Sequence, residues 1–471
     1  MGGLSRKAFQ FNKVAEEAQL PALIVDGGNL LFKESNITAA QEEQVRITAK
    51  GIVKSYDAMG YHAVGVAAQD MALGLDFLKT ITANSNFPWL SANLYNKLTS
   101  APVFTPSTTV EIGALQIGLI GLTGQADSFL KEQDDILVKP WQDVLPKIIS
   151  DLSPKTDMLV LLSNLTNAEN KEIAKLHEIH IIIQAGVSTA NMTPVAADNT
   201  LICQTGKQGK EIGIMKISWQ NSKLWGEKTA EKLTKARQNL DRLEWQLSKY
   251  SKYSNPLEEL KNNPPKLRAY QNLIQQQESS TQEIAILTEK LSRQEDVRNL
   301  PATFTNQFIA MQTSLPNDPK VQAVVEEINE QINNVGKGKS AATNILTSTY
   351  SGWESCQRCH EEIFGSWSQT PHADAYSSLI NKRQQFNLDC LPCHVTGITS
   401  ETADLALTLP KYLRDVGCES CHGAAIQHVS APDTYKPIKT PAAAVCLNCH
   451  TDEHDDSFDY QRDKQKVHPI P

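Results

Sequence analysis

The first half of the chain alternates short apolar runs with longer stretches in which apolar residues recur at helical spacing. The short runs predict buried strands and the amphipathic stretches predict helices packed on them, so residues 1–220 are predicted to form a layered α/β domain. The predicted strands are Ala22–Asp26, Ala63–Ala67, Trp89–Leu94, Val103–Ile112, Leu115–Leu122, Met158–Leu162, His180–Gln184, Leu201–Gln204 and Ile212–Trp219. The predicted helices include Arg6–Gln19, Glu42–Met59 and Asn167–His177.

After residue 220 the apolar positions follow a heptad spacing. The seam positions are Leu233, Ala236, Leu240, Leu243, Leu247 and Tyr250, and a second helical run carries Ile284, Leu287 and Leu291. Pro256 and Pro264 separate the two runs, so residues 221–335 are predicted to be helical and to form an antiparallel coiled-coil hairpin. A seam this short also fits pairing between two chains, which is the alternative. A flexible linker is predicted over 336–350.

Composition and charge limit the possible partners. The chain has 471 residues and a net charge of −8, from 45 basic and 53 acidic residues, which does not fit a nucleic-acid partner. From Ser351 onward there are 16 acidic and 10 basic residues, so a protein partner is expected to dock through an electropositive face. No apolar run reaches the roughly eighteen residues of a membrane span. The N-terminus also lacks the apolar core of a signal peptide.

One motif occurs four times in residues 351–471: two cysteines separated by two residues, with a histidine directly after the second. The copies are Cys356-Gln-Arg-Cys359-His360, Cys390-Leu-Pro-Cys393-His394, Cys418-Glu-Ser-Cys421-His422 and Cys446-Leu-Asn-Cys449-His450. This is the attachment motif of c-type haem, in which both thiols bond to the porphyrin and the histidine is the proximal iron ligand. Four covalently bound c-type haems are therefore predicted. Zinc ribbons are the alternative, although zinc held by thiolates does not require a histidine after every pair.

The remaining histidines of this region match the number of distal positions. His372, His428, His454 and His468 are the distal candidates, each with a solvated surface histidine as its alternative. All seven methionines lie at or before Met311, so a local methionine ligand is not available. Histidine on both faces predicts low-potential haems suited to electron transfer.

Several of these strings resemble a known family. The run from Cys356 to His372, the segment Cys390–Gly397 and the segment Gly417–Gly423 resemble the tetrahaem cytochrome c family of nitrifying bacteria, typified by the electron acceptor of hydroxylamine oxidation. The resemblance covers about the last quarter of the chain and implies a mostly α-helical and irregular tetrahaem domain over 351–471.

The same resemblance implies a pairing of the distal ligands. It places His428 on the first haem, His372 on the third and His468 on the fourth. In the family the second haem, here on His394, is open on one side, and His454 is the residue that would close it.

The first half resembles a different family. The strings Ala22-Leu-Ile-Val-Asp26-Gly-Gly-Asn29, Gly60-Tyr-His-Ala-Val64 and Phe87-Pro-Trp-Leu-Ser-Ala-Asn93 resemble the 5′-nucleotidase branch of the calcineurin-like metallophosphoesterases. Active members hold two metal ions that clamp the attacking and leaving oxygens of a phosphoester. The resemblance implies a metallophosphoesterase-like α/β fold.

The residues that would bind these metals have been replaced. An acidic ligand falls on Asn29, the Gly-Asn-His-Glu motif falls on Ala67-Ala68-Gln69-Asp70, and the Ser-His pair becomes Ser163-Asn164. Such a site lacks the imidazoles needed to hold transition metals, so the domain is expected to be a catalytically degenerate scaffold or docking module. The remaining Asp26 and Asp70 are expected to be solvated loop carboxylates.

These observations favour a multidomain protein that carries electrons between redox partner proteins rather than an enzyme. One alternative is a haem enzyme acting on a small nitrogen compound at an open haem, and another is an active phosphoester hydrolase fused to a cytochrome. Covalent haem attachment normally occurs outside the bacterial cytoplasm, so the expected location is the periplasm or the outer cell surface. The export segment, with or without a lipid anchor for membrane attachment, is expected to be missing from this N-terminus, and a misplaced start codon would explain this equally well.

Overall fold

A computed structural model shows the chain in two compact units. The residues described are 3–126, 129–130, 135–186, 190–206, 209–220, 223–225, 228–253, 255–261, 263–292, 301–312, 314–338, 348–399, 402, 409–451, 454–455 and 457–467. Unit 1 comprises Met1–Ser35 with Ile52–Gln322, and unit 2 comprises Asn36–Gly51 with Ala323–Pro471. The domain boundaries predicted from sequence stay predictions.

Unit 1 contains the strands of the described chain. They are β1 (Val25–Asp26), β2 (Ala63–Gly65), β3 (Trp89–Leu90), β4 (Leu94–Asn96), β5 (Ser107–Ile112), β6 (Leu115–Leu122), β7 (Ile136–Val138), β8 (Met158–Ser163), β9 (Ile181–Gln184), β10 (Met192–Ala197), β11 (Thr200–Gln204), β12 (Glu211–Ser218) and β13 (Thr303–Ala310). Every predicted strand has a counterpart, although the strand predicted over Trp89–Leu94 is two strands. Three strands were not predicted: β7, β10 and β13.

The helices from the start of the chain to Gly338 follow the amphipathic pattern. They are α1 (Leu4–Ala18), α2 (Glu42–Met59), α3 (Leu75–Thr82), α4 (Trp141–Leu152), α5 (Asn167–Ala174), α6 (Lys228–Ser248), α7 (Pro256–Glu259), α8 (Pro264–Ser292) and α9 (Pro319–Gly338). The three helices predicted in the first half are confirmed as α1, α2 and α5.

Two sheets face each other in unit 1. The larger has strand order β10-β11-β9-β8-β6-β5, with β6, β8, β9 and β11 parallel and an antiparallel strand at each edge. The smaller is parallel, with order β1-β2-β3. Ala63 and Leu90 of the smaller sheet belong to one buried cluster with Leu119 and Val160 of the larger. The other face of the larger sheet packs on α4 and α5 through residues such as Leu145 and Ile173. The predicted layered α/β fold is confirmed.

A pair of helices is inserted between β12 and β13. The two strands pair antiparallel from Glu211↔Ala310 to Ser218↔Thr303, and α6, α7 and α8 lie between them in sequence. Leu233 packs near Leu287, Asn239 donates to the Ser280 hydroxyl at 2.9 Å, and the rings of Tyr250 and Tyr270 lie 5.0 Å apart. Because partners closer to the end of α6 meet residues closer to the start of α8, the helices run antiparallel, as predicted. Supercoiling of this pair stays a prediction.

Unit 2 is made of short helices and irregular segments. Its helices after Gly338 are α10 (Trp353–Gln357), α11 (Glu361–Trp367), α12 (Ala375–Asn381), α13 (Leu391–His394), α14 (Cys418–His422), α15 (Ile426–Ser430), α16 (Ala443–Leu447) and α17 (Tyr460–Asp463). Its buried cluster is small and includes Leu379, Leu391 and Leu413. The predicted mostly α-helical and irregular architecture is confirmed.

A segment from the first half of the sequence is part of unit 2. The buried Gln44 side chain, in α2, donates to the Asn387 side chain at 2.9 Å and accepts from the Leu388 amide at 3.1 Å. Asn387 and Leu388 directly precede the second haem motif, so this contact fixes the chain as it enters α13. None of the helices in the described ranges is both long and apolar enough to cross a membrane.

Candidate functional site

The haem motifs of unit 2 lie on or at the ends of short helices. The amide of His360 donates to the Cys356 carbonyl at 3.0 Å, and the amide of His450 donates to the Cys446 carbonyl at 2.9 Å. Helical spacing puts the two cysteines of a motif on the same side of one turn, because residues three apart are neighbours on a helix surface. This places both thiols where a single porphyrin edge could meet them.

Three of the proximal histidines have one ring nitrogen already hydrogen-bonded to protein. The Nδ1 of His394 donates to the Ala375 carbonyl at 2.7 Å, that of His422 to the Ile438 carbonyl at 2.6 Å, and that of His450 to a carboxylate oxygen of Asp455 at 2.8 Å. Histidines that bind metals almost always donate their second nitrogen in this way, which fixes the tautomer and the ring orientation. The Nε2 atoms of these rings would then be the nitrogens that bind a haem iron, and the donor set fits c-type haem.

The ring of the first proximal histidine, His360, lies near that of a distal candidate, His428. The ring centres of His360 and His428 are 6.4 Å apart with 29° between their planes, which is too far for face-to-face stacking. A ring nitrogen lies about 2 Å from a bound metal and roughly 1 Å from its ring centre, so two rings sharing one iron have centres about 6 Å apart. The Nδ1 of His428 donates to the Tyr435 carbonyl at 2.7 Å, in the manner of the proximal histidines. The spacing fits the pairing that the resemblance implies.

A second pair of rings differs from that pairing. The ring of His372 lies 5.9 Å from that of His450, whereas the resemblance assigns His372 to the haem on His422. Burial, and then the nearby His450, lower the pKa of His372, which favours the neutral imidazole that binds metals. The 3₁₀ turn that carries His372 thus lies beside the fourth motif, and the assignment of His372 to the third haem stays a prediction.

The other two distal candidates lie near the C-terminus. His454 lies four residues after His450, and its amide donates to the Thr451 carbonyl at 2.9 Å. His468 lies outside the described residues. Both stay predictions as distal ligands.

The thiols of different motifs lie close together. The Cys418 thiol raises the pKa of Cys356, the Cys393 thiol raises that of Cys449, and the Cys446 thiol adds to the effect of burial on that of Cys421, so each pair of thiols lies close together. These contacts order the motifs in space as first, third, fourth and second. Porphyrins bound to them would therefore follow one another in a row.

The described cysteines are not arranged as a zinc site. Burial raises the pKa of Cys390 and of Cys421 to about 11, and the nearby Cys393 thiol, followed by burial, raises that of Cys449. Across the described ranges, no three or more His, Cys, Asp or Glu side chains are grouped so that they could hold a metal ion.

Large apolar side chains remain exposed around the motifs. Those near the third and fourth motifs are between 43% and 55% exposed, and they are Val429, Tyr435, Ile438 and Leu447. Leu447 lies within the fourth motif, and the Ile438 carbonyl accepts the hydrogen bond of His422. Exposed apolar clusters of this kind mark surfaces that a ligand or partner covers, and a porphyrin face has the matching apolar character.

A buried carboxylate inside the third motif was missed by the sequence reasoning. Glu419 is 4% exposed and accepts hydrogen bonds from the amides of Ser351 at 3.0 Å, Gly352 at 2.7 Å and Ala425 at 2.7 Å. It ties the entry of α10 to the turn after α14, and so joins the first motif to the third. The spacing of the motif gives no signal for this role, because the residue after the first cysteine is not acidic in the other three copies, which have Gln357, Leu391 and Leu447.

In unit 1 the strand-end cluster consists of Asn29, Gln69, Asp70 and Asn164, at the position expected for the metal ligands. Asp70 is completely buried and accepts four main-chain hydrogen bonds of 2.7–3.1 Å, from Asn29, Leu30, Leu31 and Ala67. Burial raises its pKa to about 6, although these hydrogen bonds oppose the shift. The expectation that Asp70 is solvated was wrong.

The amides of the strand-end cluster are also bonded to protein. The Asn164 side chain accepts from the Ala68 amide at 2.9 Å and donates to the Ala185 carbonyl at 2.9 Å. The Asn29 side chain accepts from the Gln69 amide at 3.3 Å. Side chains at the positions expected for metal ligands therefore join the loops to one another directly.

Asp26 is half-buried and takes part in a separate hydrogen-bond network. Its carboxylate accepts from the Tyr56 hydroxyl at 2.9 Å and from the Gly28 amide at 3.1 Å, and Lys7 donates to the Tyr56 hydroxyl at 3.1 Å. Asp26 is therefore bonded to protein and only partly exposed, whereas the sequence predicted a solvated carboxylate. Gly28 has φ of 103°, and a Cβ there would lie 2.5 Å from the Gly65 carbonyl oxygen, so only glycine fits this turn.

Comparison with known proteins agrees with the resemblance at the C-terminal end. The sequence profile of the family described as "Cytochrome c554 and c-prime" matches residues 355–423. Cytochrome c-554 of Nitrosomonas europaea is 36% identical over 90 residues, which cover 16% of this chain and 38% of that protein. This likeness implies c-type haem as the cofactor.

The first half matches nucleotidases. A 5′-nucleotidase of Vibrio parahaemolyticus is 27% identical over 149 residues, which cover 31% of this chain and 25% of that protein. A sulfate thiohydrolase structure from Thermus thermophilus aligns with a TM-score of 0.46 and 12% identity, over 70% of this chain and 46% of that one. The chain spans only 25–38% of the length of these curated relatives. It thus joins a region resembling 5′-nucleotidase, in its first half, to a region resembling cytochrome c554 at its C-terminal end.

Proposed function

We propose that the chain is a multihaem c-type cytochrome that carries electrons between redox partner proteins, with four haems attached through the four motifs. The observation that carries this proposal is the hydrogen bonding of the proximal imidazoles, whose Nδ1 atoms are committed to protein acceptors behind the motifs of His394, His422 and His450. Surface histidines with no ligand to bind have no need of such fixed orientation.

The residues of unit 2 suit electron transfer more than catalysis. Haem iron, when bound, supplies a centre that gains and loses one electron. Rings such as those of His360 and His428, one on each side, would exclude a substrate from the iron. The thiol contacts support a row of porphyrins in the order first, third, fourth and second, along which electrons could pass.

The location and the partners follow from the same chemistry. Thioether attachment places the mature protein in the periplasm or on the outer surface of a bacterium. The acidic excess from Ser351 onward favours partners with an electropositive docking face, and attraction of this kind speeds association more than it tightens binding.

The first half serves as a scaffold or docking module in this proposal. The side chains of Asn29, Asp70 and Asn164 are engaged with main-chain groups, and a two-metal hydrolase needs such positions as ligands. An assay of the full chain with Mn²⁺ or Zn²⁺ and a nucleotide monophosphate should show no turnover above buffer. Metal-dependent hydrolysis would establish the protein as a hydrolase fused to a cytochrome.

The cytochrome proposal is tested by the mass of the protein produced in a host that exports and matures c-type cytochromes. We expect the polypeptide mass plus four haems, and three haems in Cys421→Ser. A Cys203→Ser protein is the matched control, because this half-buried cysteine lies outside the motifs, and it should keep four haems. Polypeptide mass alone would rule the proposal out. Carbon monoxide binding to the reduced protein would favour the alternative of a haem enzyme with an open iron.

A further inference from the structure

The proximal histidines differ in what accepts their Nδ1 proton. His394 and His422 donate to main-chain carbonyls, of Ala375 and Ile438, whereas His450 donates to the carboxylate of Asp455 at 2.8 Å. Both side chains of the His450–Asp455 pair are about one-third exposed, at 31% and 34%. The fourth motif is therefore distinguished from these two by an acceptor that carries a full charge at neutral pH.

Local contacts hold this carboxylate in place. The Asp455 amide donates to the Thr451 carbonyl at 2.8 Å, and the Ser457 hydroxyl donates to the second carboxylate oxygen at 3.1 Å. The ring of Phe458 stacks on that of His450, with centres 4.5 Å apart and 19° between planes. The imidazole is thus fixed by a charged acceptor at its edge and by an aromatic ring on its face.

A charged acceptor changes the ligand strength of an imidazole. Hydrogen bonds to an ionised group are roughly twice as strong as those between neutral groups, and a carboxylate partner raises the basicity of a metal-binding histidine. A more basic ligand stabilises ferric over ferrous iron and so lowers the reduction potential, which second-shell hydrogen bonds are known to set.

We propose that Asp455 is a positioning residue that holds down the reduction potential of the haem on His450. The inference rests on the proposed function, because it requires that haem to be present. Asp455 does not touch the iron and acts only through the His450 ring. The fourth motif lies between the third and the second in the row of thiol contacts, so the proposal sets a low potential at an interior position of the electron path.

The test is a spectroscopic redox titration of the full-length haem-loaded protein. In Asp455→Asn the acceptor stays but loses its charge, so one haem potential should shift upward while the others stay. Asp455→Ala should shift the same potential further, and Asp455→Glu should restore most of the original value. Ser457→Ala should move it slightly downward, because a carboxylate without that hydroxyl is a stronger acceptor for His450.

Asp389→Asn is the control for the loss of a negative charge alone. Asp389 is exposed and directly precedes Cys390, and its loss removes one negative charge beside a haem motif without touching an imidazole. Because exposed charges are screened by water and salt, its effect should be smaller and spread over several haems. Equal shifts in Asp455→Asn and Asp389→Asn, or no shift in the former, would overturn the inference.

Haem content separates this failure from failure of the proposed function. If the wild-type protein carries no haem, the cytochrome proposal fails. If it carries four and Asp455→Asn leaves all potentials unchanged, only the role of Asp455 fails. If Asp455→Asn loses the fourth haem, Ser457→Ala still tests the role of Asp455. That protein keeps the charged acceptor, and the potential of the fourth haem should shift downward.

Discussion

The strand-end cluster of unit 1 and the haem motifs of unit 2 both place polar side chains where a ligand would be expected, yet they use them differently. In the cluster, Asn29, Asp70 and Asn164 bond to main-chain groups of neighbouring loops. At the motifs, the imidazoles of His422 and His450 each donate one ring nitrogen to a protein acceptor, which fixes the ring in the way that metal-binding histidines require. The cluster uses its polar side chains to join loops, whereas the motifs use theirs to orient imidazoles.

The two units nevertheless share one stabilising device. Asp70 in unit 1 and Glu419 in unit 2 are buried carboxylates that accept hydrogen bonds from main-chain amides. Each joins segments that lie far apart in sequence. Removing either should show how far the comparison holds.

The largest effect is expected for Asp70→Ala. Four main-chain amides would lose their acceptor inside the protein, and buried unsatisfied donors cost about 1–3 kcal/mol each before the loops relax. We expect unit 1 to lose about 4 kcal/mol of unfolding free energy, measured by urea denaturation. The exposed Asp76→Ala in α3 is the control and should change little. A cluster that binds metal would instead show an unfolding midpoint that depends on chelator, which we do not expect.

Glu419→Ala should destabilise unit 2 by about 3 kcal/mol, because three amides lose their acceptor. Since Glu419 joins the first motif to the third, the fraction of protein carrying a full haem complement should also fall. Mass spectrometry and denaturation together measure this, with Glu362→Ala, an exposed carboxylate in α11, as the control. If Glu419→Ala keeps its full haem content and its stability, Glu419 does not stabilise unit 2 as Asp70 is expected to stabilise unit 1.

Acidification should affect unit 1 through His180. This side chain is 5% exposed, and burial, with a smaller contribution from Lys223, lowers its pKa to about 4. The pKa of His180 in the folded protein lies below that in the unfolded chain. The stability that neutral His180 contributes is therefore complete above about pH 6.5 and is lost as the pH falls through 4, at a cost of about 3 kcal/mol. Denaturation at pH 7, 5.5 and 4 measures the slope. His180→Asn, which keeps an acceptor for the Leu159 amide, should flatten it.

The smallest effect is expected for Gln44→Ala. The side chain makes two hydrogen bonds to the segment before the second motif, and their loss should cost unit 2 about 2 kcal/mol. The exposed Lys50→Ala on the same helix is the control. Unchanged stability would mean that this segment only accompanies the second motif and does not support it.

Sequence patterns predicted the regular part of unit 1 well. Long apolar strands such as β6 and β8 contain too many consecutive apolar residues to lie anywhere but in a core. Strand β10 was missed because Pro194 interrupts it, although an edge strand tolerates proline. Strand β13 was missed because it lies in a polar region whose neighbours are helical, and its partner β12 is far away in sequence.

Only the sites whose residues lie close together in sequence could be predicted. The cysteine and histidine motifs are local, so the sequence shows them directly. The burial of Asp70, the hydrogen bond of Asp26 with Tyr56 and the proximity of His372 to His450 depend on segments that come together only in the folded chain. A carboxylate next to glycines looks solvated in a sequence, because the amides that it accepts from cannot be recognised there.

The helical insertion between β12 and β13 has a consequence for how this chain could change. Ser218 and Thr303 are paired residues, so the chain leaves the β12–β13 pair and returns to it at one point. Residues can be inserted, removed or exchanged within the hairpin without shifting the register of β12 and β13. Because α6 contacts β13 and β10 through Arg237 and Gln238, the far end of the hairpin, near Pro256 and Pro264, is the natural place to attach a probe or an affinity handle.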